Sequence, residues 1–372
     1  CEYLDEDEVQ KAADGLDIKA GSFTIHKSSE VDRLVTNDVP GNTQEISLGL
    51  AALLLAHAVC LCDIYIPDGC KMRGSGRDLP DCYHYAGVPF ERAKTAAVGP
   101  WLDPRDFVRY PAYARLIARR RARGIRSPPE RITPAWTSLP MGDLNAVDFM
   151  QLAHMSMLRA GGALTDSSLM TYARPIFETE QGVRDGVVVD DYHVSAVVPI
   201  DLPASAPAAD TRVLELVDRT YANQEPPLTP KPSKCYDHLE LYETWGATVD
   251  GLGGTTRAGV PLLVRLALLT LRMLTERVAT PRIWDTVVGL FGYAFLFRRM
   301  AYSLFMEVFH EARDLRPGEV FRPSAKGSVE LECALALLPL LSANNRAPVS
   351  AKVWATDATR HRAACVSTTV PE

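Results

Sequence analysis

The segment Val187-Val-Val-Asp-Asp191 places two adjacent carboxylates at the end of a run of valines. An earlier segment, Asp78-Leu-Pro-Asp-Cys-Tyr83, begins with a third carboxylate. Like charges this close together do not both ionise easily unless a cation neutralises them, and a divalent metal is the simplest such cation. We therefore expect Asp78, Asp190 and Asp191 to hold two Mg²⁺ ions, an arrangement that can displace pyrophosphate from a nucleotide.

The local structure expected around these carboxylates suits metal binding. The residues from Gly186 to Val198 are rich in β-branched side chains on both sides of the two aspartates, which predicts two strands joined by a tight turn. Asp78 is expected at a strand end. Between the two motifs lies Ser138-Leu-Pro-Met-Gly-Asp-Leu-Asn145, where proline and glycine break the chain before a helical pattern over Asn145 to Arg159.

These three motifs, in this order, resemble the catalytic motifs of retroelement reverse transcriptases. The family patterns are Asp-x-x-Asp-x-aromatic, then Leu-Pro-x-Gly-x-x-Asn/Ser, then x-x-Asp-Asp. The resemblance runs from about Lys27 to Asp357 and implies an α+β right-hand polymerase fold. It implies fingers and palm over residues 1–250, a helical thumb and connection over 251–345, and a truncated ribonuclease-H-like start over 346–372.

The resemblance also implies roles for residues around the nucleotide. Lys27 and Arg33 belong to a weakened basic fingers segment that contacts the triphosphate. Asp81 and Tyr83 lie beside the first carboxylate, where the aromatic ring would pack under the sugar and favour deoxynucleotides. Lys234 would protonate the departing pyrophosphate, as a positioned ammonium can.

Further roles follow for the template and primer. Met141 and Gly142 would contact the nucleotide and its template base pair, because glycine lacks the Cβ that would obstruct a close approach. Trp245-Gly246 would hold the primer end, and Asp357 would be one metal ligand of an attached ribonuclease H domain, whose other ligands would lie beyond Glu372. The implied partners are an RNA or DNA template with its primer, and dNTPs.

Two departures from the family pattern keep a rival interpretation open. Val188 replaces the aromatic residue before x-Asp-Asp, and Met141 replaces the glutamine of the Leu-Pro-x-Gly loop. Neither change removes a metal ligand, but both affect contacts to primer and nucleotide. The first rival is a catalytically silent or domesticated relic that binds nucleic acid at most. The second is a structural or interaction protein in which the motifs are coincidental, against which their ordered spacing counts.

The charge balance gives a mixed indication. The formal net charge of −6 over 372 residues counts against nucleic-acid binding, for which a basic balance is usual. Residues 103–131, however, contain nine arginines opposed by three carboxylates. This excess is consistent either with a surface that follows a phosphate backbone or with a solvated arginine-rich helix.

Several expectations concern context and local elements. Because the chain begins with Cys1 and not with methionine, we expect it to be a fragment of a polyprotein. We expect no secretory signal and no membrane span, and the eight scattered cysteines are typical of a reduced protein, so we expect an intracellular location. The oligomeric state stays open. Hydrophobic patterns predict a buried helix over Ser47 to His57, a strand over Cys62 to Ile66, and long helices from Pro261 to Arg313 that break at Thr280-Pro281 and at Gly289.

Overall fold

The computed structural model describes residues 1–28, 31–172, 182–348, 350, 352–358 and 363–369. The chain divides into two compact units. The first unit consists of Cys1–His57, Ser75–Val194 and Ala209–Asp237. The second consists of Ala58–Gly74, Ser195–Ala208 and His238–Glu372.

The main sheet of the first unit carries the segments singled out in the sequence. The strands that lie wholly or partly in this unit are β1 (Glu2–Leu4), β2 (Gly21–Ser28), β3 (Val31–Asn37), β4 (Cys70–Asp78), β5 (Thr133–Ala135), β6 (Val183–Val188), β7 (Asp191–Pro199) and β8 (Tyr236–Leu239). The main sheet has the strand order β6-β7-β4-β8. Strands β4 and β7 are its central strands and are buried along nearly their whole length, as expected of strands with a neighbour on each side. The pairs β1-β5 and β2-β3 are small antiparallel sheets.

The helices of the first unit are mostly short. They are α1 (Val39–Asn42), α2 (Ala51–Leu54), α3 (Cys82–Tyr85), α4 (Phe90–Ala93), α5 (Pro111–Ala122), α6 (Ala146–Ala160) and α7 (Ala209–Ala222). Helix α6 confirms the helix predicted after the proline-glycine break, and it buries Met150, His154 and Leu158 along one face at the spacing of helical turns. A buried apolar stripe of this kind fixes which side chains of α6 point toward the sheet.

The second unit combines a small sheet with a helical core. Its elements are β9 (Leu241–Thr244), β10 (Ala247–Asp250), β11 (Thr255–Ala258), α8 (Val260–Glu276), α9 (Pro281–Phe295), α10 (Ala325–Leu337), β12 (Ser342–Asn344), β13 (Lys352–Ala358) and β14 (Ala363–Thr369). The sheet order is β12-β11-β10-β9, and β13 pairs with β14. The core centres on Trp284, Phe291, Phe295 and Phe305, and the first three of these recur along α9 with helical spacing.

Three local predictions require correction. Helix α9 begins after Thr280, as predicted, but runs through Gly289, because its buried aromatic face outweighs the ~1 kcal/mol cost of one glycine. The predicted strand over Cys62 to Ile66 is wrong, since a 3₁₀ helix occupies Ala58–Asp63. The Asn345 side chain donates to the carbonyls of Leu61 and Ile64 and thereby holds this turn.

The buried helix predicted over Ser47 to His57 is also wrong. Only α2 is helical there, and Leu53 is 61% exposed. Side chains of the α6 segment take up the backbone amides instead, because Asn145 accepts from Leu48 and Asp148 accepts from Ala51. Ala51 is the first residue of α2, so the bond to Asp148 satisfies an amide that has no partner within this short helix.

None of the helices in the described part of the chain has the length and apolar character needed to cross a membrane. All eight cysteines have free thiols.

Candidate active site

The first carboxylate of the site ends a central strand. Asp78 is the last residue of β4 and is 5% exposed. The amide of Leu79, the next residue, donates to the carbonyl of Asp190 at 3.1 Å. The predicted position of Asp78 at a strand end is therefore confirmed, and this strand end lies beside the turn that carries the other two aspartates.

The predicted hairpin is also present. Strands β6 and β7 are separated by Val189 and Asp190, and Asp191 is the first residue of β7. Val189 has φ of 56°, in the left-handed region that β-branched residues strongly disfavour. The turn thus presents two carboxylates from a rigid sheet edge, at the cost of local backbone strain.

The carboxylates converge at this edge. The side chains of Asp78 and Asp190 lie close enough to Asp191 to affect its ionisation. Burial raises the pKa of Asp191 well above its ordinary value, and the hydrogen bond with Asp78 and the charge of Asp190 raise it further. The site therefore holds more negative charge than its surroundings neutralise.

Lys234 is the cation that the fold supplies here. It ends a short 3₁₀ helix that leads into β8, and the Lys231 amide in the same segment donates to the Asp78 carbonyl at 2.8 Å. The Lys234 ammonium forms an ion pair with the Asp78 carboxylate. The hydrogen bond that the Lys234 ammonium donates to the Asp78 carboxylate raises the pKa of Lys234, and the charges of the three aspartates raise it further. The predicted site lysine thus lies with the predicted carboxylates.

The donor set is chemically suited to a hard divalent cation, since carboxylate oxygens are the ligands that Mg²⁺ prefers. The Lys234 ammonium offsets part of the charge that a metal would neutralise. Within the described residues, no group of three or more His, Cys, Asp or Glu side chains is already arranged to hold a metal ion. Binding would therefore require the Asp78 side chain to exchange its ion pair with Lys234 for the metal.

A cavity of about 300 Å³ contains two of the predicted nucleotide-binding residues, Asp81 and Met141. Its wall also includes His84 and Trp136, whose rings lie 6.1 Å apart. The motifs in the sequence do not include this aromatic pair, and the one signal for it is that Trp136 precedes the Leu-Pro-x-Gly loop by three residues. The cavity lining combines apolar side chains with two carboxylates, Asp32 and Asp81.

Tyr83 and Gly142 flank this region. Burial raises the pKa of Tyr83 to about 12, with contributions from Cys82 and Asp190, so its ring lies near the carboxylate turn. Gly142 has φ of 119°, and a Cβ there would lie 3.1 Å from the Thr36 carbonyl oxygen. The positive φ and the close approach to β3 both favour glycine at this position. The predicted approach of this loop to a template base pair stays a prediction.

Other predicted site residues are placed elsewhere or are not described. Lys27 belongs to β2 and Arg33 to β3, but their side chains lie outside the described residues. Asp357 belongs to β13, where it pairs with Ala364, and its side chain also lies outside them. The roles assigned to these three residues stay predictions.

The predicted primer-grip residues form a hairpin turn in the second unit. Trp245 and Gly246 connect β9 to β10 and have φ of 47° and 81°. Two successive positive φ values are typical of the tight two-residue turns that match strand twist. The Tyr293 hydroxyl donates to the Trp245 carbonyl at 3.1 Å and supports the turn.

The arginine-rich segment is largely engaged within the first unit. Asp5 is fully buried and accepts from Arg120 and from Arg123, the latter at 2.6 Å. Arg119 pairs with Glu8 at 3.1 Å. These arginines therefore anchor the acidic N-terminal segment to α5, and the carboxylates of that segment already occupy their guanidinium groups. A phosphate-binding role stays a prediction for the exposed arginines of the segment.

Among the solved structures that resemble the whole chain are two of the foamy viral protease-reverse transcriptase. The dRH form in complex with double-stranded DNA has a TM-score of 0.57 and 12% sequence identity, covering 99% of this chain and 50% of that one. A second structure, also in complex with double-stranded DNA, has a TM-score of 0.54 and 12% identity, covering 99% and 60%. No protein-family profile and no curated protein matches the sequence.

The chain therefore has a reverse-transcriptase-like fold, as the sequence predicted. It spans about half to three-fifths of the two protein chains that it resembles. The subdivision into fingers, palm, thumb and ribonuclease-H-like start stays a prediction.

Proposed function

We propose that the first unit carries the active site of an RNA-directed DNA polymerase that extends a primer with dNTPs. One observation carries this proposal. The carboxylates of Asp78, Asp190 and Asp191 act on one another and on Lys234 at the end of adjacent strands in a reverse-transcriptase-like fold. Sequence order alone does not require four such groups to meet in space, so their convergence supports a shared chemical task.

In this proposal Asp78, Asp190 and Asp191 would hold two Mg²⁺ ions. Bound metal would supply charge neutralisation at the triphosphate and would lower the pKa of the primer 3′-hydroxyl. Lys234, released from its ion pair with Asp78, would be placed to give a proton to the departing pyrophosphate. The cavity lined by Asp81, Met141 and Trp136 would receive part of the nucleotide.

The partner in this proposal is a primed template, and retroelement origin is part of the same proposal. The foamy viral enzymes that share the fold were solved in complex with double-stranded DNA, which supports a double-stranded partner here. The ribonuclease-H-like start at β13 belongs to the proposal on the sequence resemblance alone.

Primer extension tests the activity. Purified protein with a primed RNA template, dNTPs and Mg²⁺ should lengthen the primer, and the double variant Asp190→Asn/Asp191→Asn should abolish the extension. A matched control removes the same charge at the exposed positions Asp7 and Asp14, and Asp7→Asn/Asp14→Asn should extend normally. Absence of extension by the folded wild type at every Mg²⁺ and Mn²⁺ concentration would refute the polymerase proposal.

A specific observation favours a second candidate, a catalytically silent relic that retains nucleic-acid binding. Asp78 is held in an ion pair by Lys234, and the described residues contain no group of three or more potential metal ligands. Fluorescence anisotropy with a labelled template-primer separates the two candidates. Binding without extension supports the relic, whereas extension that depends on the aspartates excludes it.

A further inference from the structure

Val189, which immediately precedes the two turn carboxylates, needs external support. Its φ of 56° lies in the left-handed region. For a β-branched side chain this conformation is costly, on the order of 1–3 kcal/mol, and persists only where surrounding contacts impose it. The direction in which Asp190 and Asp191 leave the sheet depends on this one residue.

Helix α6 supplies contacts to both polar groups of the Val189 backbone. The Gln151 side-chain oxygen accepts from the Val189 amide at 2.8 Å, and the His154 Nδ1 lies 2.8 Å from the Val189 carbonyl oxygen. Gln151 and His154 are three positions apart and therefore lie on the same face of the helix. Two side chains of helix α6 thus bind the amide and the carbonyl of Val189, which belong to the two peptide bonds on either side of that residue.

A second contact determines the orientation of the His154 ring. A carbonyl oxygen can only accept, so Nδ1 must carry the proton that faces Val189. The other nitrogen, Nε2, lies 2.8 Å from the Tyr221 hydroxyl of α7. Burial lowers the pKa of His154 to about 4, so the ring is neutral at neutral pH and Nε2 accepts from Tyr221.

Packing alone does not hold the turn on this side. A cavity of about 230 Å³ lies next to it and is lined by Val189, His154, Cys82, Met150 and Leu228, among others. A turn beside unfilled space has few van der Waals contacts to restrain it. The hydrogen bonds from α6 are therefore the principal restraint on that side.

We propose that His154 is a positioning residue of the candidate site, which orients the carboxylate turn through the hydrogen-bonded series Tyr221, His154 and the Val189 carbonyl. His154 is not a catalytic residue, because it acts through Val189. The inference rests on the proposed function for its effect on catalysis, but the restraint on the turn can be measured without any activity.

Two isosteric substitutions separate positioning from general packing. In His154→Asn the amide nitrogen can occupy the place of Nδ1 and keep the donor to Val189, whereas in His154→Gln the amide reaches the place of Nε2 and loses that donor. We expect His154→Gln to lower kcat of primer extension about 10- to 100-fold with little change in KM, and His154→Asn to retain most of the rate. Equal losses in both variants, in proportion to their loss of stability, would overturn the proposal.

A readout independent of catalysis keeps the two proposals distinguishable. Amide hydrogen exchange in peptides that span the turn should accelerate most in His154→Gln, which loses the donor to Val189, and less in Tyr221→Phe and His154→Asn, which lose only the contact between positions 221 and 154. It should not change in the control Tyr110→Phe, an exposed tyrosine of the same unit. If the wild type shows this exchange pattern but no extension, the positioning inference stands and the polymerase proposal fails. Unchanged exchange in both His154→Gln and Tyr221→Phe would refute the positioning inference.

Discussion

Replacing Asp185 by asparagine should stabilise the first unit at neutral and alkaline pH. Asp185 lies in β6, is 0% exposed, and accepts a hydrogen bond from the Tyr192 hydroxyl at 3.1 Å. Burial raises the pKa of this carboxyl from the ordinary 3.8 to about 7, although hydrogen bonds with Ser168 and Tyr192 oppose the rise. The folded protein thus keeps a proton here that the unfolded chain releases above about pH 4.

The sign and size of the effect follow from this difference. Because the folded protein binds this proton more tightly than the unfolded chain does, the proton stabilises the fold. This stabilisation is complete below the pKa of the unfolded chain and is lost as the pH rises through about 7. At about 1.4 kcal/mol per pH unit, the interval from 3.8 to about 7 corresponds to at most about 4 kcal/mol. Asparagine carries no charge, and its oxygen can still accept from Tyr192.

Urea unfolding at several pH values, followed by hydrogen exchange in peptides of β6, provides the measurement. Asp185→Asn should match the wild type near pH 4 and exceed it by up to about 4 kcal/mol above pH 8, with most of the change between these limits. Asp14→Asn, at an exposed position of the same unit, should follow the wild-type pH profile. The reasoning fails if Asp185→Asn is less stable than the wild type at pH 8 or shows the same pH dependence.

Two further changes have predicted directions. Asp5→Asn should destabilise the first unit by about 3 kcal/mol, because it leaves the buried Arg120 guanidinium without its carboxylate. Burial raises the pKa of the Asp5 carboxyl, but the hydrogen bonds from Arg120 and Arg123 outweigh burial and lower it overall. The stabilisation that Asp5 provides should therefore be lost as the pH falls through this lowered pKa. In urea unfolding, the control Asp103→Asn, at an exposed ion pair, should change the stability little. Gly246→Ala should destabilise the second unit by about 1–3 kcal/mol in thermal unfolding, because a Cβ there would lie 2.8 Å from the Tyr293 hydroxyl at positive φ. Gly289→Ala, in an open helical position of the same unit, should instead stabilise it by about 1 kcal/mol.

The local elements around the candidate site could be predicted because their signals are local. The β-branched run before Asp190 requires only short-range pleating and a turn, and the break at Pro140 and Gly142 requires only backbone chemistry. Predictions failed where a distant side chain took over a backbone group. Asn345 fixes the turn at Leu61, and Asp148 occupies the Ala51 amide.

The pairing of charged side chains was harder to predict from the sequence than the helices and strands were. The arginines of α5 gave no indication that their partners are Asp5 and Glu8, which lie more than a hundred positions earlier. Opposite charges attract regardless of separation along the chain, so a sequence pattern identifies such groups without pairing them.

The residues by themselves indicated a strand that ends at Asp78 and a turn that carries Asp190 and Asp191, whereas the fold was indicated by the resemblance of the ordered motifs to reverse transcriptases. Tertiary structure alone decided that Lys234, 156 positions from Asp78, neutralises that carboxylate, and that His154 holds the carbonyl of Val189. The physical reason is that strands and turns follow from hydrogen bonds and torsions of neighbouring residues. The protonation state and the orientation of a buried side chain instead depend on every charge and every hydrogen-bond donor that folding brings within a few ångströms of it.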